Sequence, residues 1–215
     1  MSMKSTATIR RIHASATLAL AFTLTAATAP PLHAATILAT QTGPINASTT
    51  WGGATLPTAG DTDTWDTAGY RVTHVSETFH GGLLSVKSGA IPAPAAGASL
   101  VLQATTFDNG EIRKLTNIAS AYDFSGKTLT FASDGAAFSS NNQNRNIVLN
   151  NAVWAGSGNI SFTKSGTSTG SSILTLDTDN TLSGYTGTIS IANTGDGQAW
   201  LTINAATTGS FGVNI

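Results

Sequence analysis

Two short clusters of oxygen-bearing side chains have the residue types of a calcium site. Their members are Asp61, Asp63 and Asp66 in the first, and Asp177, Asp179 and Asn180 in the second. Carboxylate and amide oxygens that lie close together in a sequence can coordinate Ca²⁺. Neither cluster matches an EF-hand loop, and the Gly-Gly-x-Gly-x-Asp calcium repeat is absent from the chain. We therefore interpret both clusters as solvated turns and predict no metal and no cofactor.

A second candidate is the His-x-x-Glu-x-x-His pattern formed by His74, Glu77 and His80. A zinc pair on a helix needs two histidines four residues apart, which this pattern does not supply. The flanking Val72 and Val75 indicate a strand and a turn instead of a helix. A Ser-His-Asp triad is not indicated either, because no Gly-x-Ser-x-Gly elbow follows a predicted strand. We therefore predict no catalytic residue here.

An enzyme that cleaves a polysaccharide needs two facing carboxylates, or a basic residue beside an acidic cluster. The charged residues after position 120 are scattered without such a pairing: Asp123, Lys127, Asp134, Arg145, Lys164, Asp177, Asp179 and Asp196. Aromatic rings could instead form a sugar-stacking surface, although such rings more often fill the corners of a core. The candidate rings are Trp51, Trp65, Tyr70, Tyr122, Trp154, Tyr185 and Trp200.

The composition favours β-structure and excludes several classes of protein. Only 10% of the 215 residues are charged, whereas 35 Thr and 22 Ser make up about a quarter of the chain. Helical bundles and coiled coils need charged faces, and ten scattered Lys and Arg cannot form the basic stripe of a nucleic-acid binder. With 40% hydrophobic residues, a net charge of −1 and no Cys, the chain is typical of a folded domain without disulfides.

The first 35 residues have the three parts of a secretory signal peptide. Residues 1–11 carry three basic residues and no acidic one, and residues 14–29 are apolar or hydroxylic. This stretch is shorter than the roughly 20 residues that span a bilayer. Residues 30–35 add two prolines and small residues suited to cleavage. We therefore expect cleavage near Ala35 and export to the cell surface, the outer membrane or the extracellular space.

The later chain shows short alternating apolar runs separated by Gly, Asn, Ser and Asp, the pattern of half-buried strands. All six prolines lie at or before Pro94, so later backbone donors are free for continuous strand pairing. Most connections are longer than hairpin loops, which favours a β-solenoid over the alternative, an antiparallel β-sandwich. The expected interior residues are Leu129, Phe131, Val148, Ile160, Phe162, Leu174, Leu176, Ile189, Ile191, Leu201 and Ile203.

Residues 156–191 contain an ordered series of motifs. A Gly-rich lead is followed by a Lys-x-Gly turn at 164–166 and a Leu-Thr-Leu strand at 174–176. An Asn-Thr-x-Ser-Gly turn then begins at Asn180, and a Thr-x-x-Ile strand begins at Thr188. This series resembles the autotransporter-associated β-strand repeat, with a leucine where that family usually has an aromatic residue and with a longer loop at 168–172. The segment from Trp51 to Thr62 is similar to the opening of such bacterial surface proteins.

The resemblance implies an exported, right-handed parallel β-helix, often the passenger of an outer-membrane autotransporter. We therefore predict an all-β chain with a signal peptide at 1–35, an irregular N-terminal cap at 36–69 and a right-handed parallel β-helix at 70–215. The expected role is structural or adhesive and non-enzymatic. The alternative is a carbohydrate-binding or carbohydrate-degrading module on the same scaffold.

The expected partners follow from the same features. An extracellular glycan or another surface ligand is expected, without nucleic acid and without a transmembrane segment in this chain. Residues 210–215 begin another apolar alternation, and no charged or helical cap follows. Because an open last coil presents unpaired strand groups to solvent, we expect either further coils beyond Ile215 or self-association through the C-terminal end.

Overall fold

Parallel strand pairing dominates the structure of this chain, which is a computed structural model. It describes residues 34–93, 98–114, 119–140, 146–167, 169–204, 209 and 211–215. Residues 1–33, and with them nearly all of the predicted signal peptide, lie outside the described residues. The residues from Ala34 to Ile215 form a compact unit in which the strands stack as a right-handed β-solenoid of about six turns.

The described elements are short. The strands are β1 (Thr36–Leu38), β2 (Gly43–Pro44), β3 (Thr64–Asp66), β4 (Val72–Thr73), β5 (Glu77–Thr78), β6 (Leu83–Lys87), β7 (Ala90–Ala93), β8 (Ser99–Val101), β9 (Ala104–Asp108), β10 (Gly110–Lys114), β11 (Ser120–Phe131), β12 (Ala136–Ser140), β13 (Ile147–Gly156), β14 (Ile160–Lys164), β15 (Ser171–Leu176), β16 (Thr181–Tyr185), β17 (Thr188–Asn193), β18 (Gln198–Ile203) and β19 (Gly212–Asn214). A 3₁₀ helix spans Ser48–Trp51.

The strands form the three faces of the solenoid. Two of the faces belong to the largest sheet, which has the order β1-β3-β6-β9-β11-β13-β15-β18, with β5, β8 and β16 joined to it. The long strands β11 and β13 turn a corner, because β8 and β15 pair with their N-terminal halves while β9 and β16 pair with their C-terminal halves. The third face has the order β7-β10-β12-β14-β17-β19. Every pairing among the described strands is parallel, which confirms the predicted β-helix and contradicts the antiparallel sandwich.

Inward-facing side chains stack in columns from coil to coil. On the third face Ile91, Ile112, Phe138, Phe162 and Ile191 are in register across five coils, and all five are buried. The three middle side chains are therefore covered above and below by their equivalents in the neighbouring coils. Burying an apolar side chain of this size stabilises the fold by about 1.5–3 kcal/mol. The alternation read from the sequence thus becomes a continuous core.

Three of the expected interior residues are placed differently. Val148 lies on the outer side of β13, because Ile147 and Leu149 take the inner positions. Leu201 and Ile203 lie in inner columns opposite Leu174 and Leu176, but Leu201 is only half-buried and Ile203 is 46% exposed, because no described strand pairs with β18 on its other side. The other eight expected residues are buried.

The segment 36–69 is less regular than the later coils but contributes to the same sheet. Strand β1 already pairs in parallel with β3, so the solenoid begins before residue 70. Between these strands the 3₁₀ helix brings Trp51 onto the inside of the first coils. The Trp51 ring lies 5.2 Å from Trp65 and 6.0 Å from Phe79, measured between ring centroids. These rings cover the N-terminal end of the core.

Candidate interaction surface

The first acidic cluster stabilises turns of the N-terminal coils. Asp61 accepts hydrogen bonds from the backbone nitrogen of Asp63 at 2.7 Å and from Trp65 Nε1 at 3.2 Å. Asp63 in turn accepts a hydrogen bond from the backbone nitrogen of Ala35 at 2.7 Å. Both carboxylates therefore hold the polypeptide backbone or a core ring in place.

Asp66, the third member of this cluster, is the last residue of β3 and is buried. Its carboxylate accepts a hydrogen bond from the backbone nitrogen of Ala68 at 2.8 Å and forms an ion pair with Lys87 Nζ at 3.1 Å. The cluster members thus have separate partners. Across the described residues, no three His, Asp or Glu side chains are grouped as ligands of one metal ion.

The second cluster contains a buried structural amide. Asn180 is fully buried, and its Nδ2 donates to the backbone oxygen of Asp177 at 3.0 Å and to a carbonyl of the preceding coil at 2.8 Å. Its Oδ1 accepts a hydrogen bond from Trp154 Nε1 at 3.0 Å. The Asp177 carboxylate accepts a hydrogen bond from Asn204 Nδ2, and Asp179 holds the turn with a φ of +53°. These contacts tie successive coils together.

The histidine pattern is dispersed. His74 is buried, its Nδ1 lies 3.0 Å from the carbonyl oxygen of the next residue, and its ring meets the Tyr122 ring at 5.5 Å. Glu77 accepts a hydrogen bond from Asn46 Nδ2 at 2.6 Å. His80 lies instead beside a groove on the side of the solenoid. The three side chains thus have different surroundings.

The candidate aromatic residues do not form a sugar-stacking surface. Five of the seven rings are at most 2% exposed and lie in the core: Trp51, Trp65, Tyr122, Trp154 and Tyr185. The two exposed rings are Tyr70, between β3 and β4, and Trp200, in β18. These two positions belong to opposite ends of the solenoid. The hypothesis of a shared stacking face is therefore wrong.

Two of the scattered charged residues of the later coils, Asp123 and Lys164, also support the fold. Both carboxylate oxygens of Asp123 accept hydrogen bonds from Asn151 Nδ2 at 3.1 Å. Lys164 is fully buried, and its Nζ donates to the backbone oxygen of Asp196. Sequence analysis assigned Lys164 to a turn, and the alternation from Ile160 through Phe162 to Lys164 is the signal for an inner position that it missed. Arg145 lies outside the described residues.

The C-terminal end presents an apolar surface on the last coil. Trp200 is 50% exposed, Ile203 and Val213 are each 46% exposed, and Ile215 is 98% exposed. Together with Leu201 they line a shallow cavity of about 390 Å³. Half of the large hydrophobic side chains that are exposed in the described part of the chain lie at this end. Contiguous apolar surface of this kind is typical of an interaction site.

The backbone at this end adds an open strand edge. Within the described residues β18 pairs only with β15, and β19 pairs only with β17. Natural sheets usually protect such edges with charged residues, prolines or a covering segment. Residues 197–215 contain no Asp, Glu, Lys, Arg or Pro. The C-terminal end thus combines unpaired strand groups with an uncharged apolar face.

The chain matches no known protein family, no curated protein and no solved structure. The resemblance to the autotransporter-associated repeat rests on the motifs of residues 156–191 and remains a prediction. A search of the described residues for a helix long and apolar enough to cross a membrane finds none.

Proposed function

We propose that this chain is an exported structural or adhesive protein of the bacterial cell surface, and that two copies associate through their C-terminal ends. The observation that carries the proposal is the uncharged, apolar edge formed by β18 and β19. The signal-peptide pattern of residues 1–35 supports export, and the repeat-like motifs of residues 156–191 support a surface location. A structural role is favoured over a carbohydrate module based on stacking rings, because five of the seven candidate rings are buried.

The two ends of the solenoid support a specific mode of association. The N-terminal end is covered by Trp51, which packs on Trp65 and Phe79. In a head-to-tail contact the apolar face of one copy would therefore meet an end of the other copy whose large rings are buried. Pairing of two C-terminal ends places apolar residues and free strand groups on both sides of the contact. Such an interface is isologous and closes as a dimer.

Sedimentation velocity of the compact unit from Ala34 to Ile215 tests this association. We expect a dimer whose population rises with protein concentration. The double variant Trp200→Lys/Ile215→Lys should be monomeric, because it places charges on the most exposed residues of the apolar face. The control Val75→Lys/Val153→Lys adds the same charge at exposed apolar positions elsewhere and should remain dimeric. A monomeric wild-type protein, or equal disruption by the control, would contradict self-association.

Mass spectrometry tests the export part of the proposal. When the full chain is expressed in a bacterial host, the exported product should begin near Ala35 or Thr36. Replacing Lys4, Arg10 and Arg11 with glutamate should keep the protein inside the cell, since the basic start of a signal peptide is removed. An intact Met1 on envelope-located protein would be the contrary result.

A further inference from the structure

A groove of about 550 Å³ lies on the side of the solenoid among its early coils, separate from the C-terminal end. Gly82, Gln103 and Lys127 form its floor. The registers of β6 with β9 and of β9 with β11 place these three residues at equivalent positions in successive coils. The floor is therefore a row that crosses three coils.

The loop at residues 59–61 forms the wall of this groove. Asp61 is fixed in the wall, because its carboxylate accepts hydrogen bonds from the backbone of Asp63 and from Trp65 Nε1. The loop lies directly over Gly82, where an added Cβ would be only 2.7 Å from the backbone oxygen of Asp61. A side chain larger than hydrogen at this position would displace the wall. Glycine at position 82 thus keeps the wall close to the floor.

Most of the polar side chains around this groove are available to a ligand. The side chains of His80, Gln103 and Lys127 make no hydrogen bond or ion pair with any residue that the structure describes. Most other candidate residues, such as Asp66, Asp123 and Asn180, are used to hold turns or coils. The groove therefore brings together three polar side chains without a partner in the described structure, beside Asp61, which the fold already uses.

The chemistry of these groups favours a neutral polyhydroxylated ligand. Lys127 supplies three donors, Gln103 supplies both donors and acceptors, and His80 supplies ring nitrogens of either kind. Lys127 and Asp61 bring one positive and one negative charge to the lining of the groove. A ligand with hydroxyl groups can both donate to and accept from this set, whereas an anionic ligand would lie against a carboxylate. The volume is also within the range of small-molecule sites.

We propose that this groove binds a short neutral saccharide through Asp61, His80, Gln103 and Lys127. Recognition is by hydrogen bonds to sugar hydroxyls and needs no stacked tryptophan. The groove and the C-terminal end share no residue, so saccharide binding and self-association are independent of each other.

A glycan array that displays both neutral and acidic oligosaccharides tests this proposal on the unit from Ala34 to Ile215. We expect binding to one or more neutral oligosaccharides. Gln103→Ala and Lys127→Met should each reduce that binding at least tenfold, because each removes a group that faces the groove. The matched control Gln41→Ala removes an exposed glutamine elsewhere and should bind like the wild-type protein.

Circular dichroism shows whether each variant keeps the fold, and the Trp200→Lys/Ile215→Lys variant should retain saccharide binding. Because this variant should be monomeric and still bind saccharide, the array tests the groove separately from self-association. Absence of binding to any neutral oligosaccharide, binding to acidic oligosaccharides alone, or equal loss in the Gln41→Ala control would overturn the proposal.

Discussion

The two ends of this solenoid solve the same physical problem in different ways. Among the described residues, the first and the last coil each have a neighbouring coil on one side only, and apolar groups on the other side lose the burial that stabilises the interior. At the N-terminal end the chain turns back over the core. Trp51 there is 2% exposed, packs on Trp65 and Phe79, and donates from Nε1 to the backbone oxygen of Ile45 at 2.7 Å.

At the C-terminal end the corresponding surface is open. Trp200 is 50% exposed, and Ile203 and Val213, which occupy inner columns, are each 46% exposed. Trp200 is exposed for a different reason, because it occupies an outer position of β18 in register with Ile173. Ile203 and Val213 teach that an inner position alone does not bury a side chain, because burial also needs a covering coil or segment.

The largest expected effect is a difference in stability between the two tryptophans. Trp51→Ala should lower the free energy of unfolding by about 3–5 kcal/mol, because it removes a buried ring from a packed cluster. Trp200→Ala should lower it by less than about 1 kcal/mol, because the ring is half-exposed. Urea unfolding at a protein concentration too low for dimerisation measures both values. Similar losses for the two variants would mean that the ends do not differ as described.

Alkaline pH should affect the later coils more than the N-terminal cluster. Burial raises the pKa of Tyr122. Burial also raises the pKa of Tyr185, to about 12, although a backbone hydrogen bond with Ile160 lowers the Tyr185 pKa by a smaller amount. In the unfolded chain a tyrosine titrates near pH 10. The folded protein holds these protons more tightly, so the associated stability is complete below about pH 10 and is lost as the pH rises towards 12.

Urea unfolding across this pH range, with tyrosinate absorbance as a second signal, measures the effect. We expect the Tyr185→Phe variant to lose about 2 kcal/mol less than the wild-type protein between these limits. The N-terminal rings Trp51, Trp65 and Phe79 do not titrate, so tryptophan fluorescence from that cluster should change last. Equal pH dependence of Tyr185→Phe and the wild-type protein would contradict the assignment.

The smallest expected effect concerns the hydroxyl groups of the two buried tyrosines. The Tyr122 hydroxyl is buried and has no hydrogen-bond partner among the described residues, so Tyr122→Phe should be neutral or stabilise the fold by about 1 kcal/mol. The Tyr185 hydroxyl donates to the backbone oxygens of Gly158 at 3.1 Å and Thr188 at 3.3 Å. Tyr185→Phe should therefore cost about 1 kcal/mol at neutral pH. Thermal or urea unfolding of both variants gives the sign, and a destabilised Tyr122→Phe would show that its hydroxyl is satisfied.

Part of the candidate site was accessible from sequence. The apolar alternation of residues 210–215 predicted an open edge, and Val213 and Ile215 are exposed there, whereas the exposure of Ile203 contradicts its predicted interior position. The groove was not predicted, because His80, Gln103 and Lys127 lie far apart in the chain. Only the coil-to-coil register brings them together, and register depends on pairings between residues more than 20 positions apart.

The amino-acid sequence by itself determined the class of fold, because apolar and polar residues alternate with a period of two wherever the inner and outer positions of a strand differ clearly. Leu129 and Phe131, or Ile160 and Phe162, have only one reasonable phase. The run Ile147-Val148-Leu149 is apolar throughout and has two, and the pairing of Leu149 with Tyr122 and Leu176 selects the one that turns Val148 outward. Only the tertiary structure decided which polar and aromatic side chains are buried. Trp154 and Trp200 each lie within a strand, but Trp154 stands in register with the buried Leu129, whereas Trp200 stands in register with the outer residue Ile173 of the preceding coil.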